Sequence, residues 1–143
     1  MKMQSLLYIS RSTILPGDVE DELNRIIATA VARNSACGLT GALLFTGRHF
    51  AQVIEGDSAS IDRLMAKISI DPRHDKIRTV ARTPLAERLF GDWSMAYFGP
   101  SQFVSRQVTR LLSDPSPVEL RRGAEWLTDL LREFSAEPPI FGR

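Results

Sequence analysis

Leu39-Thr40-Gly41-Ala42-Leu43-Leu44-Phe45, the triplet Thr46-Gly47-Arg48, and Phe50-Ala51-Gln52-Val53-Ile54-Glu55-Gly56 are the stretch whose reading decides the fold. Two apolar runs of strand length flank a glycine-containing turn, which signals a β-hairpin. Side chains alternate faces along a strand, so Leu39, Leu43 and Phe45 oppose Ala42 and Leu44. A sheet apolar on both faces needs cover on both.

Before the hairpin, Gln4 to Ser10 reads as a first strand, with Leu7 and Ile9 alternating with Leu6 and Tyr8. Pro16-Gly17-Asp18 then opens a helix; Asp18 is the expected N-cap, and Glu20, Asp21 and Glu22 suit its positive end. Leu23, Ile26, Ile27, Ala30, Val31 and Asn34 recur at helical spacing, which sets Asn34 at the end of the apolar stripe. After the hairpin, Gly56-Asp57-Ser58 starts a second helix carrying Ile61, Leu64, Met65 and Ile68, and Asp71-Pro72 stops it. Ile77 to Thr83 and Trp93 to Phe98 read as a fourth and a fifth strand. Beyond Gly99-Pro100 the pattern is helical, with Phe103, Val104, Gln107, Val108, Leu111 and Leu112 on one stripe. Asp114-Pro115-Ser116-Pro117 is a break, and Leu120, Ala124, Leu127, Leu131 and Phe134 form a last stripe. The expected fold is α+β, a ferredoxin-like βαββαββ chain. It has a five-stranded mixed sheet, two helices on one face and a C-terminal helical extension on the other. The expected division is residues 1–98 and residues 99–143.

Composition narrows the function. The 143 residues suit one domain, and 43% are apolar, enough for a core. Lys and Arg number 18 against 17 Asp and Glu, so charge gives no reason to expect direct nucleic-acid binding or an anionic membrane. No run approaches a membrane span and the N-terminus lacks a basic flank before a long apolar stretch, so a cytoplasmic protein is the expectation. The lone Cys37 excludes an internal disulfide and reads as a packed thiol. Only His49 and His74 are present, with no acidic cluster near either, which argues against a metal site. The first strand is not followed by a glycine-rich phosphate loop.

Polar residues stand where a core is expected. Gln52 shares a strand face with Phe50 and Ile54, and burying an unpaired amide costs on the order of 1–3 kcal/mol. It needs partners, or else the strand lies at an edge and Gln52 meets water or backbone. Tyr8 sits mid-strand between apolar neighbours, and a buried phenol usually finds a partner for its hydroxyl. Asn34 could equally be a helix C-cap. Lys67 and Asp71, four apart, fit a surface ion pair or a contact to a phosphate or ribityl group. Trp93 and Met95 share a face and read as core.

Together these residues resemble the BLUF domain, the blue-light sensors that use FAD. The likeness rests on Tyr8, on Asn34 ahead of Gly38-Leu39-Thr40-Gly41-Ala42-Leu43-Leu44-Phe45, and on Phe50-Ala51-Gln52-Val53-Ile54-Glu55-Gly56. Asp71-Pro72-Arg73-His74 and Phe90-Gly91-Asp92-Trp93-Ser94-Met95 complete it. It runs from about Ser5 to Phe98; the rest resembles the helical tail of a member with no enzyme domain.

The resemblance implies a non-covalent FAD whose ring lies between the two helices, against Ile26, Ile27, Leu64 and Ile68. It implies that Asn34 bonds the ring's polar edge and that Gln52 sits between that edge and Tyr8. Lys67, Asp71 and His74 would line the ring edge and ribityl tail. Arg33 departs from the His or Asn frequent at its position. Tyr8 would give an electron and a proton after excitation, and Gln52 would be left with rearranged hydrogen bonds. Trp93 and Met95 would carry the signal to an unidentified downstream protein, with a homodimer left open. Two other readings stand beside this one: a small phosphate-binding enzyme of the acylphosphatase type using Arg33-Asn34, and a ligand-free interaction module.

Overall fold

The computed structural model describes residues 2–91, 96–98 and 102–135. Trp93 and Met95 lie outside the described residues. The elements are β1 (Met3–Ser12), α1 (Val19–Cys37), β2 (Thr40–Phe45), β3 (His49–Asp57), α2 (Ser58–Ser69) and β4 (His74–Pro84), followed by β5 (Ala96–Phe98), α3 (Gln102–Leu112) and α4 (Pro117–Ser135). The fold is α+β. Strands β4, β1, β3 and β2 form a four-stranded antiparallel array, and β5 joins its edge parallel to β2.

The hairpin forms as its sequence dictates. Thr46 closes it through its backbone N–H to the His49 carbonyl, 2.9 Å, while its hydroxyl accepts from the His49 N–H, 2.9 Å. Gly41 is required where β2 crosses β3: a Cβ there would stand 2.0 Å from the Val53 carbonyl oxygen. Strand β3 is central, with β1 on one side and β2 on the other, so Gln52 is not an edge residue. In register it opposes Tyr8 of β1 and Leu43 of β2.

The two sheet faces have different covers. Leu7, Ile9, Ala42, Leu44, Ala51 and Val53 pack against Val104, Val108 and Leu111 of α3 and Ala124, Leu127 and Leu131 of α4, with Phe90 among them. Phe103, expected on the packed stripe, is instead 62% exposed, because it lies one residue to the side of the buried Val104. The other face carries two separate apolar groups. One joins Leu23, Ile27 and Ala30 of α1 to Leu43, Phe45 and Phe50; the other joins Ile61, Leu64 and Ile68 of α2 to Leu6, Tyr8 and Ile54.

Local ends depart from three expectations. Asp18 holds the N-cap position of α1 as expected, but it also ends a 3-10 turn over Pro16–Asp18 and its side chain makes no cap bond. Asn34 is not the C-cap: α1 continues to Cys37 and closes at Gly38, whose φ of 68° is the left-handed geometry glycine tolerates. Cys37 is exposed, because the last turn of α1 presents that side to solvent. Asp57 caps α2, accepting from the Ser60 N–H at 3.2 Å.

Candidate functional site

Between α1 and α2, where the two apolar groups meet on the same sheet face, the packing leaves a gap. The gap is a small cavity of about 70 Å³ that opens to solvent. Its floor is strand: Tyr8 of β1, Leu43 of β2, and Phe50 and Gln52 of β3. Ile26, Thr29, Ala30 and Arg33 of α1 form one wall, and Ile68, Asp71, Arg73 and His74 the other.

The floor holds two polar side chains in a buried setting. Gln52 is 5% exposed. The Tyr8 hydroxyl donates to Gln52 Oε1. Burial pushes the Tyr8 phenol well above its usual range; nearby Asp71 adds to this and Arg33 opposes it. Tyr8 therefore keeps its proton at neutral pH and presents it to the amide. A primary amide has an accepting and a donating end, so Gln52 can meet Tyr8 in two orientations of opposite polarity.

The walls supply charge and anchoring. Arg33 is half-buried, and desolvation lowers its pKa, with Tyr8, Cys37 and Asp71 opposing. Its Nε is buried, and no group among the described residues accepts its proton. Asp71 is held by Arg73, Nη2 to Oδ2 at 2.7 Å, and that hydrogen bond keeps its carboxyl below the usual range. Arg73 also reaches Glu22 of α1 at 3.6 Å, tying the two walls together. His74 stands edge-on to Tyr8 and to Phe50, with ring centroids 6.1 and 5.9 Å away. Its Nε2 donates to the Ile68 carbonyl at 2.7 Å and its Nδ1 meets Ser10 Oγ at 2.7 Å, so the ring is fixed between α2 and β1.

Of the residues singled out from sequence, Tyr8, Ile26, Arg33, Gln52, Ile68, Asp71 and His74 come together around the cavity. Ile27 and Leu64 face the sheet beneath, inside the two apolar groups. Lys67 is on the exposed side of α2, next to the buried Ile68, and Asp71 pairs with Arg73 instead of Lys67. Asn34 is fully buried in the last turn of α1; its backbone carbonyl accepts from the Leu39 N–H at 2.8 Å. Thr29, Ala30, Leu43, Phe50 and Arg73 also belong to the lining, beyond the site residues expected from sequence. Arg73 lies inside the Asp71-Pro72-Arg73-His74 motif, so that motif could have supplied it; Thr29 offers no signal of its own.

Residues 3–96 match the family described as BLUF, sensors of blue-light using FAD, and the chain belongs to it. The photoactivated adenylate cyclase subunit beta of Euglena gracilis is 38% identical over 93 residues, 65% of this chain. The subunit alpha of the same organism is 37% identical over 94 residues. The chain spans about a tenth of the length of these relatives. Among solved structures, the BLUF protein BlrB in its dark state is 34% identical with a TM-score of 0.73, covering 94% of this chain and 96% of that one. The ground state of BlsA shares the fold at 23% identity and a TM-score of 0.77.

The residues fit the FAD this family uses. A flat ring with an apolar body and one polar edge suits a cleft of Ile26, Ala30, Leu43, Phe50 and Ile68 that also holds the Gln52 amide and the Arg33 Nε. No helix among the described residues is long and apolar enough to cross a membrane, and none of their His, Cys, Asp and Glu groups could hold a metal ion.

Proposed function

We propose that this protein reports blue light by switching the hydrogen bonds of Gln52, with Tyr8 as donor, and that it performs no turnover chemistry. The observation that carries the reading is the Tyr8 hydroxyl donating to Gln52 Oε1 on the floor of the inter-helix cavity. Bound flavin supplies light absorption and a strong one-electron oxidant. Tyr8 gives up an electron; the phenol then becomes acidic, and its proton leaves along the existing bond to Gln52. As the electron and the proton both return to Tyr8, the Gln52 amide settles rotated or as its other tautomer, with its donor and acceptor ends exchanged. Population of that arrangement is the signal.

Arg33 and Asn34 would hold the polar edge of the ring, Ile26 and Ile68 would hold its faces, and Asp71 and His74 would line its rim and tail. Lys67, Ile27 and Leu64 act from farther out, as an outer charge and as packing beneath the walls. Residues 1–98 are the flavin domain, on the ferredoxin-like plan with β5 as a fifth strand. Residues 99–143 are the helical extension, whose α3 and α4 pack on the far face, and the extension passes the change, by way of Trp93 and Met95, to a downstream protein in the cytoplasm. The likeness to the BLUF protein BlrB over nearly the full length of both chains supports the sensor reading. The phosphate-enzyme reading is weakened by the cavity, since Arg33 lines an apolar cleft and not a nest of backbone N–H groups.

The test is an absorption spectrum of the full chain loaded with FAD, before and after a blue flash. A yellow protein with a reversible red shift is expected. A protein that stays colourless after reconstitution with excess FAD would overturn the reading.

A further inference from the structure

One fully buried carboxyl group takes no part in the cavity. Glu55 lies three residues after Gln52 on β3, about 10 Å along the strand, and its side chain points to the opposite face. Its Oε1 accepts from Thr40 Oγ1 at 2.8 Å and from the Phe90 N–H at 3.1 Å; its Oε2 accepts from the Leu89 N–H at 2.7 Å. Arg88 closes the cluster from outside. Its guanidinium donates to Thr40 Oγ1 at 2.8 Å, to the Glu55 carbonyl at 3.2 Å and to the Gly38 carbonyl at 2.7 Å.

The position of this cluster is informative. Leu89 and Phe90 lie in the connection between β4 and β5, and Gly91 (φ 57°) directly follows them. Strand β5 then pairs with β2 through Ala42–Ala96, Leu43–Tyr97 and Leu44–Phe98. A buried polar group of this kind is expensive unless every lone pair is used, and an apolar residue of similar volume would pack here at lower cost. What the carboxyl provides is a fixed attachment of two consecutive backbone N–H groups to the strand that carries Gln52.

We infer that Glu55 is a positioning residue for signal output, holding the Leu89-Phe90 backbone on β3 so that a change at Gln52 is transmitted to the connection leading into β5. The inference rests on the photochemical reading above. Glu55→Gln separates the two roles. The amide cannot accept at both ends, so at least one of the Leu89, Phe90 and Thr40 donors faces an NH2 group and loses its bond. The pocket face of β3 is untouched.

The experiment is hydrogen–deuterium exchange on the full chain loaded with FAD, in the dark and under blue light, with the absorption spectrum recorded on the same samples. In Glu55→Gln the red shift should keep its size. Exchange at Leu89 and Phe90 should rise about tenfold or more in the dark, and the light-dependent difference expected at Ala96–Phe98 in the native chain should be lost. Native exchange rates together with a native light-dependent difference in Glu55→Gln would overturn the inference. Loss of the red shift in that variant would overturn it too, since Glu55 would then act on the pocket itself. A native chain that shifts its spectrum without any exchange difference at Ala96–Phe98 would also count against it. If Glu55→Gln does not fold, Arg88→Met decides by the same three readings, since it leaves the carboxyl in place and removes its outer support. A native chain without a red shift would count against the photochemistry, while the dark exchange rates still test the anchor.

Discussion

The two faces of β1 and β3 are built from alternate residues of the same few strand positions, yet they follow opposite rules. Toward α3 and α4 the strands offer Leu7, Ile9, Ala51 and Val53, packed in one large apolar group, with the polar His49 and Glu55 only at the two ends of β3. Toward α1 and α2 they offer Tyr8, Ser10 and Gln52, all buried, beside a cavity that neither helix fills. Apolar closure yields stability; a buried hydroxyl and amide beside open space cost stability and are kept for what they do. The first face is therefore the scaffold and the second the instrument, and substitutions on the two should separate stability from spectroscopy.

The largest effect is expected from removing the scaffold's cover. A chain ending at Phe98 exposes Leu7, Ile9, Ala51, Val53 and Phe90 together and should aggregate, as read by light scattering. A truncated chain that stays monomeric and equally stable would remove the distinction between the faces. A single cavity on that face should be milder: Leu127→Ala is expected to cost about 2–5 kcal/mol in urea unfolding, with the flavin red shift unchanged. Loss of the shift in a folded Leu127→Ala protein would show that the faces are not separable.

Acid should act more weakly, and through the hairpin end. His49 is buried beside Ser105 of α3, Nδ1 to Oγ at 2.8 Å, and burial pushes its imidazole below the usual range, with Arg48 and Arg11 adding. The unfolded chain then binds a proton that the folded chain resists, so this contribution is complete above pH 6.5 and declines as pH falls from 6.5 toward the lower folded value. Asp71 adds a loss of the same sign only at lower pH, below its ordinary 3.8. Urea unfolding on either side of pH 6.5 should show the decline, and His49→Asn should flatten it; an unchanged slope in that variant would remove His49 as the cause.

The scaffold was legible because periodicity encodes it. Helix stripes such as Leu23, Ile27 and Ala30, and strand alternation around Leu7 and Val53, follow directly from backbone geometry. Gln52 was legible for the converse reason, as a polar residue breaking an apolar face. What local pattern could not tell was rotation and pairing. Ile26 lines the cavity while Ile27 meets the sheet, and Ile68 lines it while Lys67 faces solvent; these depend on how each helix sits. Arg73 reaching Glu22, and Glu55 reaching Leu89 and Phe90, join residues far apart in sequence, which no local pattern encodes.

The account turns on Gln52. Gln52→Leu roughly conserves volume but takes away the acceptor of the buried Tyr8 hydroxyl, so a stability cost of about 1–3 kcal/mol is expected, small enough to keep the fold. Tyr8→Phe should likewise keep the fold and lose the normal shift, because the donor to Gln52 is gone. The direct measurement is the blue-flash difference spectrum of Gln52→Leu with bound flavin quantified in the same sample. The account predicts a protein that is folded and yellow but shows no red shift; a normal, reversible red shift in that variant would contradict it.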